Sequence, residues 1–263
     1  MSNISSLIPT LSFAFSHGPA FIGFVTGGDP TIAASEDFIC AMAQAGADLI
    51  EIGIPFSDPI AEGPVIQGAN LRALKAGTTV ESIFELVKRV RKKTDVPLVL
   101  LTYLNPVFRF GYEDFFERCA QVGVNGIIVP DLPFEEHEEL RDCAVTHGID
   151  LISMIAPTSE ERIARIAKVA TGFIYLVSSM GVTGIRSEIT TDLESLVALV
   201  RTHTELPIAV GFGINTPEQA SAIARYANGV IVGSALVRII EEHGAKATSY
   251  LADYVRSIKQ AMD

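Results

Sequence analysis

Short apolar runs recur along the chain at intervals of roughly 20 to 30 residues: Phe21 to Thr26, Leu49 to Ile54, Pro97 to Tyr103, Gly126 to Pro130, Asp150 to Ala156, Phe173 to Ser178, Pro207 to Phe212 and Gly229 to Gly233. Between them lie segments with helical periodicity, among them Val80 to Lys92, Glu135 to Thr146 and Leu193 to Thr202, bounded by polar residues or glycine. Strands apolar on both faces and separated by helices call for a parallel sheet covered by helices. Eight such units at this length favour closure, so the pattern predicts an α/β fold, a single (β/α)8 TIM barrel. The stretch Ile4 to Ser16 precedes the first strand and is expected to form an extra N-terminal helix that plugs the barrel's bottom. No linker or composition shift interrupts the alternation, which predicts one domain over residues 1–263.

Composition narrows the chemistry. Thirty-one acidic against 20 basic residues give a net charge of -11, which repels nucleic acid and anionic membrane surfaces. An anionic substrate therefore needs a local trap. The start lacks the basic and apolar regions of a signal peptide, and no apolar run approaches a membrane span, so a cytoplasmic location is expected. Cys40, Cys119 and Cys143 are widely spaced without a C-x-x-C pair and read as small hydrophobes, and no metal site is expected.

In such barrels the chemistry sits in the loops after the strands. The second run, LIEIGI, places Ile50, Ile52 and Ile54 on the helix-facing side by the strand's period of two, so Glu51 faces the lumen. Burial there disfavours the charged carboxylate and raises its pKa toward neutrality, which suits a proton shuttle. A structural glutamate bonded to a neighbouring hydroxyl or lysine is the other reading. The following loop, PFSDPIAEGP, holds two more carboxylates on a backbone stiffened by three prolines, as in a preformed site wall. Asp58 there can equally brace a turn, and Glu62 can equally sit in solvent.

The sixth strand runs into SSMGVTGIRSE, longer than the usual 2 to 6 residues of such connections and therefore a candidate lid. The seventh ends in Gly211-Phe212-Gly213, and the eighth in Val232-Gly233-Ser234, where Ser234 can open a helix. Glycines let backbone N–H groups approach an anion, and a helix N-terminus adds a favourable dipole. Together these loops predict a phosphate site that needs no net positive charge.

The segments FIGFVTGGDP, ADLIEIGIPFSDPIAEGPVIQ, TYLNPVFRFG, GIIVPDLPFEE, MGVTG, VGFGI and VGSALV resemble, in order, the signature blocks of the tryptophan synthase alpha chain family. The resemblance covers nearly the whole chain. It implies a lyase for tryptophan biosynthesis that cleaves indole-3-glycerol phosphate to indole and glyceraldehyde 3-phosphate. It implies Glu51 as the residue that protonates the departing indole carbon and takes the glycerol hydroxyl proton. Glu62 stands where the family usually has an aspartate that steadies charge at the indole N–H, one methylene longer. The resemblance further implies Phe24, Tyr175 and Phe212 along the indole pocket, Thr183 on the lid, and Gly184, Gly213, Gly233 and Ser234 at the phosphate. It implies a β subunit in an α2β2 assembly that receives indole, with pyridoxal phosphate in that partner and no cofactor here. Pro55, Asp58, Asn105 and Phe108 are the residues expected to face it, the last two in the aromatic stretch Tyr103 to Phe110, read as a loop. Three alternatives stay open: a stand-alone lyase releasing free indole, a regulatory partner in which Glu62 has cost the lyase step, and another sugar-phosphate barrel enzyme. The last expects lysine or a metal cluster at the strand ends, and the eight runs contain neither lysine nor histidine.

Overall fold

A computed structural model describes residues 9–177, 192–211 and 213–263. Its strands are β1 (Ala20–Thr26), β2 (Leu49–Gly53), β3 (Leu98–Leu101), β4 (Gly126–Ile128), β5 (Asp150–Leu151), β6 (Ser153–Ile155), β7 (Ile174–Val177), β8 (Ile208–Gly211) and β9 (Gly229–Val232). Around them run α1 (Ile32–Gln44), α2 (Pro64–Lys75), α3 (Val80–Val90), α4 (Leu104–Phe110), α5 (Tyr112–Val122) and α6 (Glu138–Thr146). The second half adds α7 (Glu160–Val169), α8 (Leu193–Arg201), α9 (Pro217–Ala224), α10 (Ser234–His243) and α11 (Thr248–Met262).

Every strand pairing is parallel, in the order β5-β4-β3-β2-β1-β9-β8-β7-β6. The expected fifth strand is therefore interrupted. Its first half, β5, bonds β4, and its second half, β6, bonds β7. Ile152 stands between them and donates its N–H to the Ile127 carbonyl at 2.9 Å. The two halves form one stave that changes partners midway, which brings the sheet round into a nearly closed barrel.

The period of two sorts the strand residues. Ile22, Leu49, Val99, Ile128, Tyr175, Ala209 and Ile231 share a cluster within the barrel. Their neighbours Phe21, Ile50, Leu98, Ile127, Ile174, Ile208 and Val230 belong to a larger cluster with the helices. That second layer holds Phe38 of α1, Phe84 of α3 and Phe116 of α5, each fully buried, as well as Cys119; Cys40 is buried too, and Cys143 is half-buried.

One expectation holds over the residues described and two are corrected. The N-terminal segment, among the described residues, is a five-residue 3-10 helix, Leu11–Phe15. Its plugging role holds: Leu11 and Ala14 are buried with the residues inside the barrel, and Leu11 lies against Gly126 and Gly172 at the strand beginnings. The stretch Glu135 to Thr146 is a 3-10 turn, Phe134–Glu136, followed by α6. Tyr103 to Phe110 is no loop but the cap and body of α4; Tyr103 is buried beneath it and Phe108 exposed.

Loops at the strand ends are anchored to one another. Asp29, buried after β1, accepts both Nε (2.9 Å) and Nη2 (2.8 Å) of Arg72 on α2, whose Nη1 reaches Glu241 of α10 at 3.0 Å. This bidentate pair joins the first, second and last βα units around the barrel mouth.

Candidate active site

The mouth of the barrel opens into a cavity of about 620 Å³, its entrance included. Seven of the residues singled out in sequence line it: Phe24, Glu51, Glu62, Tyr175, Gly213, Gly233 and Ser234. Apolar walls are completed by Ile66, Leu101, Met154 and Ile231. Phe212, Thr183 and Gly184, with the rest of the candidate lid, lie outside the described residues.

Glu51 sits on β2 opposite Phe24 on β1 and Val99 on β3, facing inward as the alternation requires. It is 1% exposed, and its Oε1 has no hydrogen-bond partner among the described residues. The bracing hydroxyl or lysine of the structural reading is thus absent from that oxygen. Burial alone pushes the carboxyl up to about 8, so at neutral pH it carries a proton. Tyr175, on β7, has its hydroxyl raised well above the ordinary range by burial first and by Glu51's charge second.

Glu62 hangs from the proline-stiffened loop between β2 and α2. It is 6% exposed, not solvated. Its backbone is pinned from both sides: its N–H donates to Pro59 O at 3.2 Å, and its carbonyl accepts Gln67 Nε2 at 2.7 Å. Its carboxylate accepts Asn70 Nδ2 at 2.6 Å and the Tyr103 hydroxyl. Burial pushes its pKa up to about 7 against these two hydrogen bonds, which lower it. The cavity therefore holds two buried carboxyls raised to neutrality or above, one with an oxygen that has no partner among the described residues and one clamped.

The same cavity is lined by the start of α10, at Ser234 with Gly233 as its N-cap, and the first i to i−4 bond runs from Val237 N to Gly233 O at 3.0 Å. The amides of the first turn ahead of Val237 have no place in that ladder and point out of the helix start. Gly213, at φ +88, holds the left-handed conformation that suits glycine. Backbone donors and a helix dipole that line the same cavity as two buried carboxyls suit a phosphorylated substrate that undergoes proton transfer. Among the described residues no group of three or more His, Cys, Asp and Glu side chains is placed to hold a metal ion.

Of the residues expected at a partner surface, Asp58 and Asn105 are exposed, as is Phe108 at 68%, whereas Pro55 is buried. Asp58 accepts the neighbouring Ser57 hydroxyl at 2.5 Å.

Sequence reasoning does not single out Asn70 or Tyr103 in the clamp, nor Gly53, and it reads Gly211 as part of the anion loop and not as a close approach to an aromatic ring. A Cβ on Gly53 would lie 2.8 Å from Phe24 Cζ, and one on Gly211 2.7 Å from the Tyr175 hydroxyl. These glycines give the two aromatic walls their room. Glycine within an apolar strand is the signal that marks such close approaches.

A family model described as tryptophan synthase alpha chain matches residues 14–263. Proteins of that name from Lactiplantibacillus plantarum and Citrifermentans bemidjiense are 53% and 50% identical, covering 96% of both chains in the first case and 92% of both in the second. A solved tryptophan synthase a2b2 complex from Pyrococcus furiosus, described in terms of mutual activation, matches with a TM-score of 0.86 at 39% identity, over 92% of this chain and 98% of that one. A structure of Mycobacterium tuberculosis tryptophan synthase gives 0.88 at 34%, over 97% and 98%. Matched over nearly its whole length, with the paired carboxyls and the glycine-lined helix start in one cavity, the chain belongs to the tryptophan synthase alpha chain family.

Proposed function

We propose that Glu51 moves the protons, and Glu62 holds the indole nitrogen, in the cleavage of indole-3-glycerol phosphate. As a family member the chain is a carbon–carbon lyase of tryptophan synthesis, releasing indole and glyceraldehyde 3-phosphate. The observation that carries the assignment of roles is the contrast between the two carboxyls: Glu51 buried with a free oxygen, Glu62 buried but clamped.

The bond to be broken joins indole C3 to the hydroxylated carbon of the glycerol chain. Glu51, protonated at neutral pH, donates to C3 and turns the ring into an electron sink. The resulting carboxylate takes the proton of the adjacent glycerol hydroxyl. That C–O becomes the aldehyde carbonyl, the electron pair of the C–C bond returns to the ring, and Glu51 ends as it began. Positive charge spreads to the indole nitrogen in between. A carboxylate at Glu62 accepts that N–H and stabilises the cation, and the developing charge in turn favours ionisation of a group whose pKa in the unliganded cavity is about 7.

Phe24 and Tyr175 form the walls on the indole, and Gly213, Gly233 and Ser234 take the phosphate. The family resemblance assigns Thr183 to the lid, Gly184 to the phosphate and Phe212 to the indole pocket, all three outside the described residues. The whole chain, 1–263, works as one domain in the cytoplasm. Indole passes to a β subunit in an α2β2 assembly of the kind the Pyrococcus furiosus relative forms. This chain needs no cofactor of its own; the pyridoxal phosphate belongs to the partner. Asp58, Asn105 and the exposed ring of Phe108 supply the docking face, with Pro55 stiffening the loop behind it.

Steady-state cleavage of indole-3-glycerol phosphate, with and without the β subunit, tests this reading. Slow turnover that the partner accelerates is expected. A silent wild type that Glu62→Asp awakens would make the chain a regulatory partner only, and silence throughout would overturn the substrate. Gly53→Ala is a second test, since its methyl must push the Phe24 ring: kcat/KM should fall about tenfold or more, with about 1–3 kcal/mol lost from stability in urea unfolding. An unchanged kcat/KM would remove Phe24 from the pocket wall.

A further inference from the structure

Glu62 is held from behind by one buried amide. Asn70, on α2, is 3% exposed and does not line the cavity. Its Nδ2 donates to Glu62 Oε2 at 2.6 Å and to the Ile66 carbonyl at 2.9 Å, and its Oδ1 accepts the Phe56 N–H at 2.9 Å. Both donor hydrogens and the acceptor are therefore engaged. The amide cannot be turned over, because its oxygen would then face a carboxylate and a carbonyl while its NH2 faced an N–H. Bracing the loop requires only the bond to Phe56, and the bond to Ile66 only returns the side chain to the preceding turn of its own helix. The third and shortest bond, charge-assisted and buried, serves neither purpose.

We infer that Asn70 is a positioning residue for the lyase reaction, fixing the Glu62 carboxylate where the indole N–H arrives and locking it to the loop that begins at Pro55. A glutamate has one more rotatable bond than an aspartate, so a carboxylate delivered by Glu62 needs its far oxygen tied if it is to meet a small ring nitrogen in one place. Asn70 supplies the tie from α2, and Tyr103, whose hydroxyl accepts Ala61 N at 3.2 Å and bonds the same carboxylate, supplies the other grip. Among the described residues those two groups bond the Glu62 side chain, and Glu51 is the other ionisable carboxyl lining the cavity. The inference rests on the assignment of Glu62 to the indole nitrogen.

Cleavage of indole-3-glycerol phosphate by the full chain with its β subunit is measured for Asn70→Asp, Asn70→Ala, Glu62→Ala and the two double variants, together with their thermal midpoints. Asn70→Asp keeps the shape and the acceptor for Phe56 but replaces the donor with a like charge beside Glu62. It should lower kcat about 10- to 100-fold with KM held within about threefold. The acid limb of the kcat profile should move to higher pH, a readout that a merely structural role would leave in place. In the Glu62→Ala background Asn70→Asp, which keeps the acceptor for Phe56, should lower kcat no further, since the interaction it breaks with Glu62 is already gone, whereas Asn70→Ala also frees the Phe56 N–H and any further loss it brings should follow the thermal midpoint. Wild-type kcat and pH profile in Asn70→Asp would overturn the inference, as would an equal loss in both backgrounds that follows the thermal midpoint. Wild-type cleavage by Glu62→Ala would instead overturn the role of Glu62 itself.

Discussion

Replacing Glu51 by glutamine lowers kcat for indole-3-glycerol phosphate by about 10²- to 10⁴-fold, the range that a positioned acid–base group supplies. Glutamine has nearly the same shape and stays neutral, as Glu51 does at neutral pH, so binding and packing survive while the exchangeable proton is lost. KM should therefore change little, and the loss should appear in a single-turnover measurement of the cleavage step. The wild-type profile carries the same signature. With the proposed roles, cleavage requires the protonated form of a group near about 8 and the ionised form of one near about 7. The pair should therefore give a narrow bell centred between those values, its limbs belonging to the two carboxyls jointly. Glu51→Gln should remove the basic limb from whatever activity remains. A variant that cleaves at the wild-type rate would leave Glu51 without a role.

The reach of the sequence is set by how local each feature is. Glu51 is legible because its strand alternates strictly: three isoleucines assign one face to the helices, and the carboxyl has nowhere to point but inward. The proposed phosphate site is legible because glycines after strands and a serine at a helix start carry their conformational meaning with them. Glu62 is less so. As a sequence it is one more acidic residue in a surface loop, and its burial depends on Asn70 and Tyr103, 8 and 41 positions further along, which only the closed barrel brings to it. The break at Ile152 is equally invisible, because the run Asp150 to Ala156 is as apolar as any other; what divides it is the exchange of partners from β4 to β7. The helix over Leu104–Phe110 goes unread since Pro106, in its first turn, reads as loop chemistry although proline is tolerated there.

The same burial that arms Glu51 weakens the fold, and Glu51→Gln should expose this as a gain of stability at high pH. In the native chain the carboxyl's pKa is raised from 4.5 to about 8; in the unfolded chain it returns to its ordinary value. Below the unfolded value both states are protonated and nothing is lost. As pH rises from there, the unfolded state ionises and the native state does not, so stability falls until the native carboxyl also titrates near about 8. Each pH unit inside that window costs about 1.4 kcal/mol. Glu62, raised from 4.5 to about 7, acts in the same direction over a shorter window and is common to both proteins. Glutamine cannot ionise in either state. Its buried amide shifts stability by an amount that does not vary with pH, so the test lies in the slope and not in the offset. Urea unfolding of the two proteins should show the advantage of Glu51→Gln growing by about 3 kcal/mol between about pH 5.5 and about pH 8, and levelling off above that. A difference that stays constant across this range would mean that Glu51 is ionised in the folded chain at neutral pH. It could then not be the acid that protonates indole, and the cleavage would have to draw its first proton from another group.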